Sequence, residues 1–139
     1  AVKDNQDGTY TATLKGTKAG DALLKVTVNG AELEVAPVTV KLTADSSNLD
    51  KNKSVLTADP LTIVANNTTT SALKLTLKDA NGNLVSGQTV LFSTDLADTT
   101  FDTVVANPDG TYTTTLKGTK AGDALLKVTV NGTVLEVAP

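Results

Sequence analysis

The feature that most constrains the fold of this chain is an internal repeat. Residues 7–30 read DGTYTATLKGTKAGDALLKVTVNG, and residues 109–132 repeat this 24-residue phrase with one change. Over a longer stretch, residues 1–37 and 103–139 are identical at 30 of 37 positions. A period of about 100 residues is too long for a solenoid and is typical of tandem β-sandwich domains, each with its own core. We therefore expect the chain to be a fragment of a tandem array of similar domains.

The composition favours β-strands. The 139 residues include 25 threonines and 16 valines, but only two phenylalanines, two tyrosines and no tryptophan. Side chains branched at Cβ pack well on a pleated sheet and lose entropy in a helix. With 40% hydrophobic residues, the chain can build a core. We expect almost no helix.

The charged residues argue against several classes of partner. Twelve lysines, 12 aspartates and three glutamates give a net charge of −3, and arginine and histidine are absent. This balance favours neither nucleic acid nor an anionic membrane surface. No apolar run approaches the roughly 20 residues of a membrane-spanning helix, so we expect no membrane insertion of this segment. The absence of cysteine excludes disulfides and thiolate metal sites.

Alternation of apolar and polar residues predicts the strands. Residues 111–118 (TYTTTLKG) place Tyr112 and Leu116 on one face, and residues 123–130 (DALLKVTV) place Leu126 and Val128 on one face. Three further strands are predicted upstream: LTIVA at 61–65, ALKLTLKD at 72–79 and TVLFSTD at 89–95. Because the strands are short and the alternation is regular, we expect them to pair antiparallel, with one face of each buried.

Turn residues separate these strands. Asn131-Gly132 and its copy Asn29-Gly30 lie between alternating segments, which predicts two-residue type I′ hairpins. The loop DANGN at 79–83 contains Asp79 and Gly82, residues typical of a tight turn. From Asp45 onwards about seven short strands are predicted, which indicates an all-β, Ig-like antiparallel sandwich repeated with a period of about 102 residues.

Three segments resemble one known family. SVLTADPLTIVAN at 54–66, LTLKDANGNLVSGQTVLFST at 75–94 and the repeated phrase at 109–132 are similar to the bacterial Ig-like (Big_1-type) repeats of the intimin and invasin family of outer-membrane adhesins. The resemblance covers essentially the whole chain. It implies a stalk of tandem Ig-like domains on the bacterial cell surface, anchored to the outer membrane through regions outside this chain.

The resemblance also places the domain boundary, because the last strand of a repeat should continue past LEVAP into VTVKLTAD. Residues 1–44 would then hold the last three strands of one Ig-like repeat, and residues 45–139 a nearly complete second repeat. Three strands without a partner sheet leave one apolar face exposed to solvent. The first segment is therefore expected to belong to a longer rod or to find its missing strands in a neighbouring molecule.

The sequence contains no pattern typical of a catalytic site. Without histidine or cysteine a nucleophile would have to be serine or lysine, and no serine lies in a nucleophile-elbow motif. We predict that the chain is not an enzyme and needs no cofactor. Asp45, Asp50 and Asp59 lie around the predicted boundary and have two possible roles. They could be solvated charges of a linker, or their oxygen atoms could bind calcium between the domains.

The function that these observations predict is mechanical. The chain would be a spacer in the stalk of a surface adhesin that projects a distal binding tip, with neighbouring Ig-like repeats of the same chain as its partners. Two alternatives stay open. In one, the repeat itself binds a host or bacterial surface protein, and the apolar residues Leu23 and Leu125 on the outward face are the hint. In the other, copies assemble into a filament by exchanging strands.

Overall fold

The computed structural model describes residues 1–137, and it divides the chain into two compact units. Unit 1 is Ala1–Thr43, and unit 2 begins at Ala44. All regular elements in the described residues are strands, every pairing is antiparallel, and no helix is present. The described part of the chain thus offers no helix that could span a membrane.

Unit 2 contains eight strands, numbered here in chain order after the six strands of unit 1. They are β7 (Val55–Asp59), β8 (Ser71–Thr76), β9 (Val90–Thr94), β10 (Thr99–Phe101), β11 (Val105–Ala106), β12 (Thr111–Gly118), β13 (Leu126–Val130) and β14 (Thr133–Leu135).

These strands form two sheets in the order of an Ig domain. One sheet runs β10-β12-β8-β7, with the short β11 also paired to β12, and the other runs β14-β13-β9. Lettered in chain order without β11, the sheets are D-E-B-A and G-F-C, which is the constant-type Ig arrangement. The prediction of an Ig-like antiparallel sandwich is confirmed.

The core of unit 2 is aliphatic and lies between the two sheets. Successive strand residues point to opposite faces, and β8 shows this clearly, since Leu73 and Leu75 are buried while Ala72 and Lys74 are exposed. The buried hydrophobic residues are Leu56, Leu73, Leu75, Leu77, Val85, Val90, Phe92, Tyr112, Val128 and Val130. At about 25 cal/mol per Å² of buried apolar surface, this packing stabilises the unit without a disulfide.

Tyr112 ties this core to a loop. Its side chain is fully buried, and its hydroxyl donates a hydrogen bond to the Val85 carbonyl at 2.8 Å and accepts one from the Gln88 amide at 3.1 Å. The loop before β9 is therefore attached to β12 across the sandwich. The sequence predicts Tyr112 packed on the face of Leu116 with its hydroxyl at the rim, whereas the hydroxyl is buried, and no local pattern indicates its two partners.

One predicted strand is wrong. Residues 61–65 (LTIVA) form a loop, and the strand of this region lies earlier, at β7. Pro60 follows the last residue of β7 and has no N–H to donate to the sheet, so pairing stops there. Leu61 is 89% exposed. An apolar run beyond the reach of a partner strand does not become a strand.

Unit 1 contains six short strands where we expected three. They are β1 (Lys3–Asp4), β2 (Tyr10–Thr11), β3 (Gly20–Leu23), β4 (Val26–Val28), β5 (Ala31–Leu33) and β6 (Thr39–Leu42). They pair as three separate ribbons, β1-β2, β3-β6 and β4-β5. No residue of unit 1 is buried. Two-stranded ribbons without a facing sheet have no core, so this unit is marginally stable by itself.

The repeated phrase adopts different structures in the two units. In unit 2 residues 111–118 form the eight-residue strand β12, whereas in unit 1 only Tyr10–Thr11 of the same stretch is a strand. Conversely, residues 20–23 form β3 against β6, while the matching residues 122–125 form no strand. The sequences of the matched segments are almost the same, so the available partner strands decide the difference.

The two equivalent tyrosines provide a matched test of the core. Tyr112→Phe removes the hydroxyl that satisfies two buried backbone groups, and we expect it to lower the free energy of unfolding of unit 2 by about 1–3 kcal/mol. Tyr10 is 66% exposed, so Tyr10→Phe should change the value by less than about 0.5 kcal/mol. Urea denaturation followed by far-UV circular dichroism measures both, and equal effects would contradict the assigned role of the Tyr112 hydroxyl.

Candidate functional site

The most constrained polar group of unit 2 is the carboxylate of Asp79, which is 1% exposed. Its Oδ1 atom accepts hydrogen bonds from the amides of Asn81 and Asn83, both at 2.9 Å. Its Oδ2 atom accepts hydrogen bonds from the Asp45 amide at 2.9 Å and the Asn83 side-chain amide at 3.0 Å. The loop closes further through Gly82, whose amide donates to the Asp79 carbonyl at 2.9 Å. Residues 79–83 are called the Asp79 loop below.

Hydrogen bonds lower the pKa of Asp79 by more than burial raises it. Burial raises the pKa of Asp79, but the bonds from Asp45, Asn83 and Asn81 lower the pKa from 3.8 to about 2. The carboxylate is therefore ionised at neutral pH, and four donors compensate its removal from water.

The Asp79 loop holds the segment that opens unit 2. Besides the bond to the Asp45 amide, the Asp50 amide donates to the Lys78 carbonyl and the Ala80 amide donates to the Asn48 carbonyl, each at 2.9 Å. Ser54, which is buried, donates its hydroxyl to the Asp50 carbonyl at 2.8 Å and accepts from the Lys78 amide at 3.0 Å. Residues 45–54 are thus attached to the loop by several bonds at once.

The three aspartates of the calcium hypothesis are not brought together. The Asp45 carboxylate accepts hydrogen bonds from Ser47, and the Asp50 carboxylate accepts one from the Asn52 amide. Asp59 lies at the far end of β7 from Asp50. Among residues 1–137, no group of three or more carboxylates is placed to hold a metal ion. Asp45 is bound to the Asp79 loop through its backbone amide, not through its carboxylate.

Both Asn-Gly pairs lie at hairpin turns. Asn131 and Gly132 have φ angles of 51° and 85° between β13 and β14, and Asn29 and Gly30 have 51° and 83° between β4 and β5. Positive φ at both central positions is the type I′ geometry, which Asn and Gly adopt at little cost. Asn131 also joins the turn to the neighbouring loop, since its side chain accepts from the Thr89 amide at 3.0 Å and donates to Gln88 at 2.8 Å.

The second feature of unit 2 is an open, mainly apolar cavity of about 1020 Å³ lined by residues of β7, β8, β12 and β13. The core side chains Leu56 and Leu73 line it, as do the half-buried Leu116 and Leu126. Its rim includes residues 120–125, which form no strand although the alternation predicts one. Leu126 and Val128, predicted on one inward face, lie in β13, where Val128 is buried and Leu126 is only half-buried at the cavity.

The two serine hydroxyls that line this cavity are bonded to backbone carbonyls. The Ser71 hydroxyl donates to the Pro60 carbonyl at 2.7 Å, and the Ser54 hydroxyl bonds backbone as described above. A hydroxyl engaged with a backbone carbonyl is not activated by a base. The cavity is a gap in the apolar core rather than a pocket with converging polar groups.

Two functional features escaped the sequence analysis. Asp79 was predicted as a turn residue, but its bond to Asp45 spans 34 positions of the chain, which no local pattern reveals. The cavity is the second feature, and no local pattern predicts it, because its lining comes from strands that are far apart in the chain.

The chain matches the family described as invasin, domain 3, over residues 1–45 and 50–138. It is 33% identical over 123 residues to the inverse autotransporter adhesin YeeJ of Escherichia coli K12, a match that covers 87% of this chain and 5% of YeeJ.

Two solved structures share the fold over nearly the whole chain. InvD of Yersinia pseudotuberculosis is 35% identical, with a TM-score of 0.81 and coverage of 99% of this chain and 41% of that one. The Escherichia coli adhesin FdeC is 28% identical, with a TM-score of 0.76 and coverage of 97% and 43%. The chain therefore spans less than half the length of each of these relatives.

Removing the charge of Asp79 tests its structural role. Asp79→Asn places a donor where four donors already point, and we expect it to lower the free energy of unfolding of unit 2 by about 2–4 kcal/mol at neutral pH. The control Asp95→Asn removes an exposed carboxylate paired with Lys127 at 3.0 Å and should cost less than about 1 kcal/mol. Urea denaturation compares the two, and an Asp79→Asn chain as stable as the control would contradict the assignment.

The same carboxylate predicts how stability depends on pH. Because the pKa of Asp79 is about 2 in the fold and near 3.8 in the unfolded chain, its ionised form stabilises unit 2 by roughly 2 kcal/mol above pH 3.8. This contribution is lost as the pH falls towards about 2. The stability advantage of the wild type over Asp79→Asn should shrink across this range. An advantage that stays constant down to pH about 2 would show that the charge of Asp79 is not its cause.

Proposed function

The chain belongs to the invasin domain 3 family, and from this premise we propose that its repeats are structural spacers in the stalk of a bacterial cell-surface adhesin. The related YeeJ and FdeC are adhesins, and adhesin domains of this family are not enzymes. The repeat unit would be of the bacterial Ig-like (Big_1) type, with a boundary near Ala44. The stalk would be anchored to the outer membrane through regions outside this chain and would carry a distal binding tip.

The observation that carries the proposal is the near-identity of the two copies. A binding surface needs its particular side chains only once, whereas a spacer needs the same fold many times. The identical positions include Tyr112 and Leu116 of β12, all of β13 and the Asn-Gly turn that follows it. The residues kept between the copies therefore include those that build the sandwich.

The interior of unit 2 supports the same function, because its buried polar groups serve the fold itself. Ser54, Ser71 and Asp79 bond backbone groups, the Thr111 hydroxyl donates to Asp109, and the Thr114 hydroxyl donates to the Asp102 carbonyl at 2.7 Å. Within the described residues, no buried side-chain nitrogen or oxygen lacks a partner. A binding or catalytic site usually leaves such groups free for a ligand.

A spacer of this kind should add a constant length for each copy. β12 has eight residues, so at about 3.3 Å per residue a sandwich of such strands is about 26 Å long. Small-angle X-ray scattering of arrays with increasing numbers of the repeat would measure the maximum dimension. We expect it to grow by the same increment for each added copy, and a dimension that levels off would contradict the spacer function.

A second function is favoured by one observation. Leu23 and Leu125, which occupy matching positions in the two copies, are 58% and 66% exposed. An exposed edge with apolar side chains can pair with a strand of another protein, so the repeat could bind a host or bacterial surface protein directly.

Cell-binding measurements separate the two functions. Labelled arrays should not bind host or bacterial cells if the repeat is only a spacer. Saturable binding that increases with the number of copies, and that Leu125→Lys abolishes, would favour direct recognition. Thr133→Lys, which adds the same charge at an exposed position of β14, is the control for unspecific electrostatic effects.

A further inference from the structure

The stretch of unit 2 that precedes β7 contains turns instead of a strand. Residues 45–54, called the entry segment below, make one isolated antiparallel bridge, between Leu49 and Asp79. Only two residues separate this segment from Leu42, the last residue of β6. A pull on the chain N-terminal to unit 2 therefore reaches the entry segment before it reaches any strand of this unit.

Hydrogen bonds join the entry segment to the Asp79 loop and to the residue before this loop. The Asn48 carbonyl and the Asp50 amide bond the backbone there, one on each side of the bridge at Leu49. The Asp45 amide bonds the Asp79 carboxylate. Hydrogen bonds between antiparallel stretches are perpendicular to the chain direction, so a pull along one stretch shears them together. They resist such a pull as a group.

A buried hydroxyl and apolar contacts reinforce this attachment. Ser54 is buried, and its hydroxyl bonds backbone groups on both sides. Leu49, and Ala44 just before the segment, are half-buried and pack against the core of unit 2. An ion pair between Lys51 and Glu136 at 3.5 Å is exposed and contributes little. The resistance of the segment to a pull thus comes from its contacts with the Asp79 loop and the core beneath it.

We propose that the entry segment and the Asp79 loop form a mechanical clamp, which takes up tension from the N-terminal side and opens as a separate first step when unit 2 unfolds under force. This role rests on the proposed spacer function, because a stalk that holds a bound tip is under tension. It adds resistance to force to the equilibrium stability already assigned to Asp79.

The clamp opens before the core because of the order in which tension reaches the bonds. Stretches with few buried apolar contacts open locally at a fraction of the global free energy of unfolding. The entry segment is such a stretch, whereas the following β7 pairs with β8 at five positions and places Leu56 in the core. Bonds to a charged acceptor are the strongest of the clamp, and Asp79 supplies this acceptor. Asp79 therefore sets the tension at which the segment detaches.

Optical tweezers on the full chain test the first step. The sequence contains no cysteine, so Thr43→Cys and Lys117→Cys give two unique attachment points. Lys117 follows Leu116, which pairs with Ser71 at the start of β8, so the pull runs along the strands. At constant force the chain should first lengthen by up to about 35 Å, the extent of ten freed residues, and unfold fully only later. A first step that frees a different part of the chain would overturn the proposal.

Two substitutions separate the clamp from the stability of the unit as a whole. Asp79→Asn should raise the rate of the first step at constant force at least about tenfold, because it removes the charged acceptor. Val128→Ala creates a cavity in the core and also destabilises the unit, but Val128 lies in β13, outside the route of the force. It should change the rate of the first step by less than about twofold. Equal effects of the two variants would overturn the proposal.

A milder pair of variants tests the clamp with the Asp79 charge in place. Ser54→Ala removes the hydroxyl that bonds the entry segment to the loop, and it should raise the rate of the first step about threefold or more. Ser71→Ala removes another buried hydroxyl, which bonds the Pro60 carbonyl beyond β7, and it should leave this rate unchanged. A Ser54→Ala chain with the rate of the Ser71→Ala chain would overturn the clamp, while the length increment of arrays tests the spacer function separately.

Discussion

A strand in this protein is long and buried only where it has both a hydrogen-bonded neighbour and a facing apolar sheet. In unit 2, β12 has both, because β8 and β10 flank it and β13 lies in the opposite sheet. In unit 1 the nearly identical stretch has only the two residues of β1 beside it and no facing sheet, and only Tyr10–Thr11 is a strand. The hydrophobic effect acts on a side chain only when another surface covers it, so the sheet and its partner stabilise each other.

Polar groups then attach the loops to this sandwich. Asp79 gathers four donors and holds the segment that opens unit 2, while the Tyr112 hydroxyl holds the loop before β9. Both groups are buried, so each lost partner would leave a costly unsatisfied atom. Their action is on the fold itself. A repeat stabilised in this way suits a task that requires a well-defined shape, which links the interior of unit 2 to the proposed spacer function.

Most strands of unit 2 were predictable because their alternation is regular and their partners are present. β8, β9, β12 and most of β13 lie where the pattern of Leu, Val and Thr placed them. The stretch 61–65 was predicted wrongly, since an apolar run after Pro60 has no partner strand to pair with. Local patterns could not predict the hydrogen bond between Asp79 and Asp45, because the two residues are 34 positions apart. They could not predict the apolar cavity either, because residues from distant parts of the chain line it.

The repeat separates what the sequence by itself determined from what tertiary structure decided. The turns are the same in both copies: Asn29 and Asn131 have a φ of 51°, and Gly30 and Gly132 have φ angles of 83° and 85°. A turn is specified by the steric preferences of its own two or three residues. The strands differ, since residues 20–23 are paired and residues 122–125 are not. Pairing and burial require atoms from elsewhere in the chain, so only the assembled structure decides which stretches of the same phrase become strands.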